Sequence, residues 1–572
     1  MKEETMASAP PRPHPISTHE EVLDVIIIGA GPCGLSVAAR LRETTPAALF
    51  TDEEHRRYHW LRRHGRNVAL KNAKTGKVTR SPDAQRPGYD MMVLDATDCS
   101  WMARWNTLFA TYGISHLRSP MLWHVDPADR DSLLSFAYES KRERELVEIR
   151  GCVGKEISKH KKKMKVGSRR KLQAAQPQIE INERDRNDYY TPSQAMFQDH
   201  CGSIRDRYGL GTDIVSKETV SDISFDIVKG VSINDEKLFT ITTNHSKRYA
   251  RAVVLAVGPA NPPKIPAIPG MPPQATRPVA GGHYQSCHSA HIKTFPDPTV
   301  QARMAGKRET NIMVVGGGLT SAQLTDLAVR RGVTKVWHLM RGPCKVKAFD
   351  VDLSWMGKYR NGQQAEFWSA DSDKERYELM REARNGGSIT GLYHKKLKRH
   401  IADGRVELKT ETKVVEAEFV EDAIPGPSGG QWKIVTEPPV DGLPMIDYIY
   451  WATGIDADFT SLPYLQTMMS EYPIEECGGL PCLNDDLMWK DGVPLFVAGR
   501  LASLKIGPAS PNIGGAKLAA ERIALAMDEL MSGTRGCEDL QYGRDEADDN
   551  SGVERYLSGA GSKFSCLEIV QS

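Results

Sequence analysis

The feature that most limits what this chain can become is a pattern used twice: a buried-type strand, a glycine turn, then a helix. The first copy runs Val25-Ile26-Ile27-Ile28 into Gly29-Ala30-Gly31-Pro32-Cys33-Gly34. The second runs Ile312-Met313-Val314-Val315 into Gly316-Gly317-Gly318-Leu319-Thr320-Ser321. A glycine turn lets a pyrophosphate approach backbone N–H groups that a side chain would screen. The helix that follows turns the positive end of its dipole to the phosphates. One such turn is a weak signal in a glycine-rich chain. Two, each in strand–turn–helix context, predict an α/β protein with two Rossmann-like domains and two bound dinucleotides. The residues expected at the phosphates are Gly29, Gly31 and Gly34 in the first turn, and Gly316, Gly318 and Ser321 in the second. Two dinucleotides in one chain imply electron transfer from one to the other.

A chain of 572 residues is too long for one core. Its net charge of +2 points to no nucleic-acid or membrane partner, and no apolar run is long enough to span a bilayer. Ten cysteines scattered over the chain fit a reducing compartment, the cytoplasm. Flavin disulfide reductases need two close cysteines beside the flavin. Cys477 and Cys482 lie far from the first glycine turn, and a loop with two buried thiols is the simpler reading of them. His283, His288 and His291 lack the spacing of a metal site, and no metal is expected.

Around the first turn, residues 21–60 read as a β-α-β unit. The helix continues through Leu35–Leu41, Pro46 breaks it, and Ala47-Ala48-Leu49-Phe50-Thr51 follows as the second strand. Asp52 ends that strand about twenty residues past the turn, where an acid accepts hydrogen bonds from an adenosine ribose. The alternative is a solvated carboxylate beside Glu53 and Glu54. In the second unit the next strand is Val336–Met340, and it ends in Arg341 rather than an acid. A guanidinium pairs with a 2′-phosphate, so this site reads as selective for NADPH over NADH, with charge added by Lys345 and Lys347; the alternative is an exposed surface arginine.

The prolines of Pro262–Gly270 make a stiff connector between the two nucleotide domains. The expected organisation is a disordered lead over 1–20, a first nucleotide domain from 21–270 and 441–532, a second from 271–440 with a helical insertion near 345–400, and a disordered tail over 533–572. The insertion carries Trp355, Tyr359, Phe367 and Trp368, for packing or for a pocket. The basic stretch with His160–Lys165 and Arg169–Lys171 reads as a solvated surface insertion rather than a nucleic-acid patch, because no aromatics are interleaved. Strands are expected at Ala252–Gly258, Asp447–Gly454 and Pro494–Gly499, and a helix from Ile513 to about Met531 whose N-terminus faces a flavin ring.

The two turns, the proline connector and the strand ending Ala452-Thr453-Gly454 together resemble the class B flavoprotein monooxygenases, in their N-hydroxylating branch of lysine and ornithine N-monooxygenases. Asp447 through Gly454 matches that branch's pattern of an Asp followed by Ala-Thr-Gly. Phe367-Trp368-Ser369, Glu375-Arg376, Leu379-Met380 and Asn385-Gly386-Gly387-Ser388 resemble its substrate stretch. The resemblance implies FAD on the first turn, with Thr453, Gly454 and Gly499 near the cofactors and Ser119 in a loop facing the flavin. It implies Asn385, and Asn361 as an earlier counterpart, at the substrate. Two departures stand out. Arg384 and Gly386-Gly387 replace the Thr and Tyr of the Thr-Asn-Tyr-Ser motif, and Arg500 follows Gly499 where related flavoproteins place an aspartate on the ribityl chain.

The implied reaction is NADPH reduction of FAD, formation of a C4a-hydroperoxyflavin from O2, and transfer of its distal oxygen to the nitrogen of a small amine or amino acid. The flavin carries the hard step and the protein supplies orientation and dryness. Oxygenation of sulfur or a ketone, and a regulatory flavoprotein that does not turn over, remain as alternatives. Assembly into a homo-oligomer stays open.

Overall fold

A computed structural model describes residues 22–44, 46–51, 54, 56, 70–71, 78–79, 88–154, 183–271, 285–356, 360–421 and 430–535. Asp52, His283, Tyr359, the basic runs His160–Lys165 and Arg169–Lys171, the lead and most of the tail lie outside the described residues.

The chain begins with β1 (Val22–Ile28), α1 (Pro32–Arg42) and β2 (Met91–Asp95), then lays down β3 (Val215–Lys217), β4 (Val220–Ile227), β5 (Lys237–Thr243) and β6 (Lys247–Leu255). A second sheet follows with β7 (Ser286–His288), β8 (Asn311–Val315), α2 (Leu319–Arg330) and β9 (Lys335–Leu339). After it come three helices, α3 (Arg360–Trp368), α4 (Asp373–Arg384) and α5 (Gly391–Ala402), then β10 (Val406–Lys409), the hairpin β11 (Lys413–Glu421) and β12 (Gly430–Glu437), and β13 (Tyr448–Trp451). The chain returns with β14 (Met488–Lys490), β15 (Val493–Val497) and α6 (Ile513–Arg535).

The first sheet runs β14-β15-β6-β1-β2-β3, with β5 paired antiparallel to β6 and β4 to β5. At its centre β1 lies parallel to β6 and β2, with Val25 opposite Ala252 and Met91. A central parallel strand is covered on both faces, which explains the unbroken burial of Val25–Ile28. Helix α1 covers one face and lies against α6. Across that contact the buried Arg40 grips Glu521 through Nε at 2.6 Å and Nη2 at 2.9 Å.

The second sheet is parallel throughout, in the order β7-β13-β8-β9-β10. Its two faces carry separate cores. Ile312, Val314, Leu324 and Val336 fill one, and Met313, Trp337, Trp432 and Trp451 the other.

Two expectations are corrected here. Ala47–Thr51 forms a turn rather than the second strand: the Ala47 and Ala48 N–H groups both donate to Pro127 O at 3.1 Å, and Leu49 is exposed. The strand beside β1 is β2, whose Val93 and Leu94 are fully buried. A central position selects the segment with the larger apolar surface, and Ala47-Ala48 offers little. Strand β13 pairs with β8 and β7, so it belongs to the second sheet although the sequence reading grouped it with the first domain from 441 on. The return to the first sheet comes after Trp451.

Candidate active site between two nucleotide turns

Both glycine turns are built alike. Gly29 has φ +113°, and a Cβ there would stand 2.4 Å from Ala256 O at the end of β6. Gly316 has φ +153°, and its Cβ would stand 2.3 Å from Ala452 O at the end of β13. Each turn thus crosses the carbonyl of an alanine ending the neighbouring strand, which only glycine permits. Gly34 allows the helix to close on the turn, since its Cβ would lie 2.0 Å from Gly29 O. Gly31, Gly317 and Gly318 differ: a Cβ at any of them meets nothing within 4 Å. Gly31 and Gly318 are the N-caps of α1 and α2, and neither cap position supplies a side-chain hydrogen bond. The first N–H groups of both helices therefore lack a side-chain acceptor at the cap, the arrangement that suits an anion at a helix N-terminus.

The acid at the first turn is Asp95, at the end of β2. Its carboxylate accepts from Ala30 N at 2.9 Å and from Thr97 N at 2.8 Å. The sequence reading missed it because it took the wrong strand. The signal was the apolar run Met91-Met92-Val93-Leu94 ending in Asp95. Gly499 has φ +73°, and its Cβ would come within 3.2 Å of Cys33 Sγ in the first turn of α1, so the end of β15 adjoins the first nucleotide turn.

At the second turn, the buried Ser321 donates its hydroxyl to Gly318 O at 2.7 Å, so it shapes the turn rather than facing a ligand. Beneath it His338 is fully buried, with Nε2 2.9 Å from Gly316 O and Nδ1 3.2 Å from Thr325 Oγ1. Burial lowers its pKa to about 4, so the ring is neutral and donates to the turn. Arg341, just past β9, is exposed and has no partner among the described residues. Lys345 and Lys347 are engaged elsewhere. Lys345 Nζ holds Asn385 O and Oδ1, both at 2.8 Å, and Lys347 Nζ lies 2.8 Å from Asp352 Oδ1.

The connector fastens the two halves. Lys264 N donates to Gly454 O at 3.1 Å, and the Thr453 hydroxyl donates to Lys264 O. Thr453 therefore orders the junction, while Gly454, with φ +89°, leaves open space above it. Ser119 is half-buried on the loop that follows the helix Ala103–Tyr112, and its neighbour Arg118 ties that loop across to the insertion. Arg118 donates to the carbonyls of Lys347 (3.0 Å), Ala348 (3.1 Å), Phe349 (2.9 Å) and Ser388 (3.3 Å) and to Ser388 Oγ (2.8 Å), and it pairs with Asp350.

The substrate candidates separate. Asn385 is the left-handed C-cap of α4, exposed, with its carbonyl oxygen taken by Lys345. Gly387, two residues on, lies against the second turn: its Cβ would be 3.1 Å from Gly318 N. Asn361 is exposed near the start of α3, nearly two turns before the buried Phe367, which meets Trp355 edge-on. Trp368 instead lies at the surface under Arg522. Cys477 and Cys482 are free thiols at a small hairpin, and burial pushes Cys482 up to about 12. Among the described residues no group of His, Cys, Asp or Glu is placed to hold a metal, and no helix is long and apolar enough to cross a membrane.

No protein-family model matches the chain, and no curated protein sequence matches it. Solved structures do. The ornithine N-hydroxylase of Kutzneria sp. 744 superposes with a TM-score of 0.54 at 15% identity, over 89% of this chain and 100% of that one. The ornithine hydroxylase of Pseudomonas aeruginosa gives 0.54 at 16% identity over 89% and 100%. The cadaverine monooxygenase of desferrioxamine biosynthesis from Erwinia amylovora gives 0.52 at 13% over 89% and 95%. At such identities the likeness speaks for architecture: the chain has the two-dinucleotide flavoprotein fold in which these N-hydroxylases are built.

Proposed function

We propose that this protein is an NADPH-dependent FAD monooxygenase that N-hydroxylates a small amine or amino acid. The observation that carries the reading is the pair of helix starts with glycine at the N-cap and no side-chain cap, each following a strand of its own sheet and each with nothing within 4 Å of an added Cβ, in the fold of ornithine and cadaverine hydroxylases. The residues present fit both cofactors. For FAD there is room at Gly31 for a pyrophosphate, Asp95 for the ribose, and Gly499 beside the first turn of α1. For NADPH there is room at Gly317 and Gly318, and the unpartnered Arg341 for the 2′-phosphate. We assign FAD to the segments before 271 and after the second sheet, and NADPH to the segment between them.

When bound, the flavin accepts hydride from NADPH and activates O2 for transfer to nitrogen. This chain's residues bind and orient. Gly29 and Gly316 close the turns, His338 holds the Gly316 carbonyl, and Arg118 fixes the loop carrying Ser119 against the insertion. Asn385 keeps its amide N–H groups free, which supports a substrate contact there, with Asn361 as the second candidate. Thiol–disulfide exchange has little support, because burial pushes Cys33, the cysteine in the first turn of α1, up to about 11. The free thiols favour a reducing compartment such as the cytoplasm.

The test is an amine panel in which NADPH oxidation is followed together with hydroxylamine formation. Coupled turnover with at least one amine supports the reading. NADPH oxidation that yields only hydrogen peroxide with every amine, or oxygenation of sulfides or ketones instead, overturns it.

A further inference from the structure

One carboxylate joins a strap over the second glycine turn to the core of the first sheet and to the start of α6. The strap is made of residues 345–350 and 384–389. Lys347 N donates to Ile389 O at 3.0 Å, and Ile389 N donates to Lys345 O at 2.9 Å. Gly387 rests on the turn itself, where its Cβ would stand 3.1 Å from Gly318 N. Phe349 and Val351 flank Asp350 and are buried in the core of the first sheet, with Ile26, Val93 and Phe496. Asp350, between them, turns to three partners. Its Oδ1 pairs with Arg118, and its Oδ2 lies 3.2 Å from Asn512 Nδ2 and 3.9 Å from Arg384 Nη2. The partners are themselves tied. Arg384 donates Nη1 to Pro508 O at 2.8 Å and to Asn512 Oδ1 at 3.2 Å, and Arg118 donates to Ser388 Oγ at 2.8 Å. Asn512 stands immediately before α6, and its carbonyl accepts from Gly515 N and Ala516 N, both at 3.0 Å. That helix start is close-packed: a Cβ at Gly514 would stand 2.5 Å from Trp123 Nε1, and one at Gly515 2.3 Å from Ala509 O. Burial lowers the pKa of both guanidiniums while the Asp350 charge opposes it, so the carboxylate holds two like charges at one place.

We propose that Asp350 is a positioning residue for electron transfer between the two nucleotides: by drawing Arg118, Arg384 and Asn512 together it fixes the strap, and with it the second glycine turn, against the start of α6. This rests on reading the two turns as FAD and NADPH sites. Apolar burial of Phe349 and Val351 anchors the strap without direction, whereas the hydrogen bonds at Asp350 fix an orientation. The step so positioned breaks the C4–H bond of NADPH and moves the hydride, with its electron pair, to N5 of the flavin. NADPH becomes NADP+, the flavin is reduced, and Asp350 exchanges no atom. Such a transfer is sensitive to geometry, and about 1 Å of misplacement costs roughly a hundredfold. A clasp standing behind the two cofactors therefore acts on rate more than on affinity.

The experiment mixes FAD-loaded full-length protein with NADPH in the absence of oxygen and follows bleaching of the flavin, so that its NADPH dependence separates binding from reduction. Asp350→Ala should lower the limiting reduction rate about tenfold or more, with flavin content and the NADPH dissociation constant changed less than about threefold. Asp350→Asn keeps an oxygen for Arg118 and should lose less. Hydrogen exchange gives a readout without turnover: the Lys347 and Ile389 amides should exchange about tenfold faster or more in Asp350→Ala, and those of β1 at the native rate. If Asp350→Ala does not fold, Asn512→Ala takes its place in both measurements. An unchanged limiting rate overturns the proposal. So does a loss that falls on flavin content or on the NADPH dissociation constant alone, which would make Asp350 a folding or binding residue. Slower reduction with unchanged exchange also overturns it, because Asp350 would then act at the cofactor and not through the strap. If no amine is hydroxylated while NADPH still reduces the flavin, the N-hydroxylase reading falls and the reduction rate still decides the clasp. No reduction of the native protein by NADPH removes both.

Discussion

Two glycines three residues apart in one turn, Gly31 and Gly34, have opposite sensitivities, and that contrast tests the first nucleotide site. A Cβ at Gly34 collides with the Gly29 carbonyl, so Gly34→Ala should lower the melting temperature by several degrees, the consequence of about 2 kcal/mol of strain or more. Gly31 has empty space before it, so Gly31→Val should leave the apoprotein folded and abolish flavin binding. Full flavin occupancy in that variant would remove the site. Asp95→Asn should weaken FAD about tenfold through loss of a charge-assisted acceptor, with Ala30 N–H left poorly satisfied. At the second turn, Arg341→Ala should weaken NADPH by roughly one to two orders of magnitude, from about 1.5–3 kcal/mol of phosphate pairing, and leave NADH nearly unchanged. Equal loss of both would make Arg341 a packing residue. The glycines were legible in the sequence because a turn that must pass a carbonyl is a local requirement. Asp95 was not, because the identity of the strand beside β1 depends on which distant segment buries more apolar surface.

Among the elements, the insertion does more than pack aromatics. Its exit from α4 runs through the left-handed Asn385 to Gly387, which rests on the backbone of the second turn. Val346 bridges to Ile389, and Ile389 N donates to Lys345 O at 2.9 Å, so a short strap crosses that turn. Gly387→Ala would press a methyl group on Gly318, and NADPH binding should weaken about tenfold while flavin content stays unchanged. Kinetic titration of NADPH alongside the flavin spectrum reads both; loss of flavin would mean the strap supports the whole fold instead. The existence of helices in 345–400 was readable from composition and spacing. Their contact with the nucleotide turn was not, since it is made across the fold by backbone atoms that no residue pattern marks.

At the scale of the whole molecule, Arg118 ties the loop after the helix Ala103–Tyr112 to the distant residues Lys347–Asp350 and Ser388. Arg118→Ala takes this donor from four carbonyls and from Asp350 Oδ1, at a cost on the order of 3 kcal/mol, and should lower the melting temperature measurably more than Ser119→Ala. Acid sensitivity has a related origin. His338 titrates at about 4 in the folded chain and near 6.5 when unfolded, so protons favour the unfolded state. Its contribution to stability is intact above pH 6.5 and is lost as the pH falls towards 4. In His338→Gln, which keeps a donor for Gly316 O, the fall in melting temperature across that window should be shallower than in the native chain; equal slopes would show that the ring is not buried neutral. The sequence by itself determined the two glycine turns, their strands and helices, and the connector, because glycine geometry, apolar runs and proline act over a few residues. Only the tertiary structure decided that Asp95 rather than the Ala47–Thr51 segment flanks the first turn, that β13 joins the second sheet, and that Arg118 and Arg384 meet at Asp350. Those outcomes depend on which segments distant in the chain bury surface and charge together, and no local pattern encodes them.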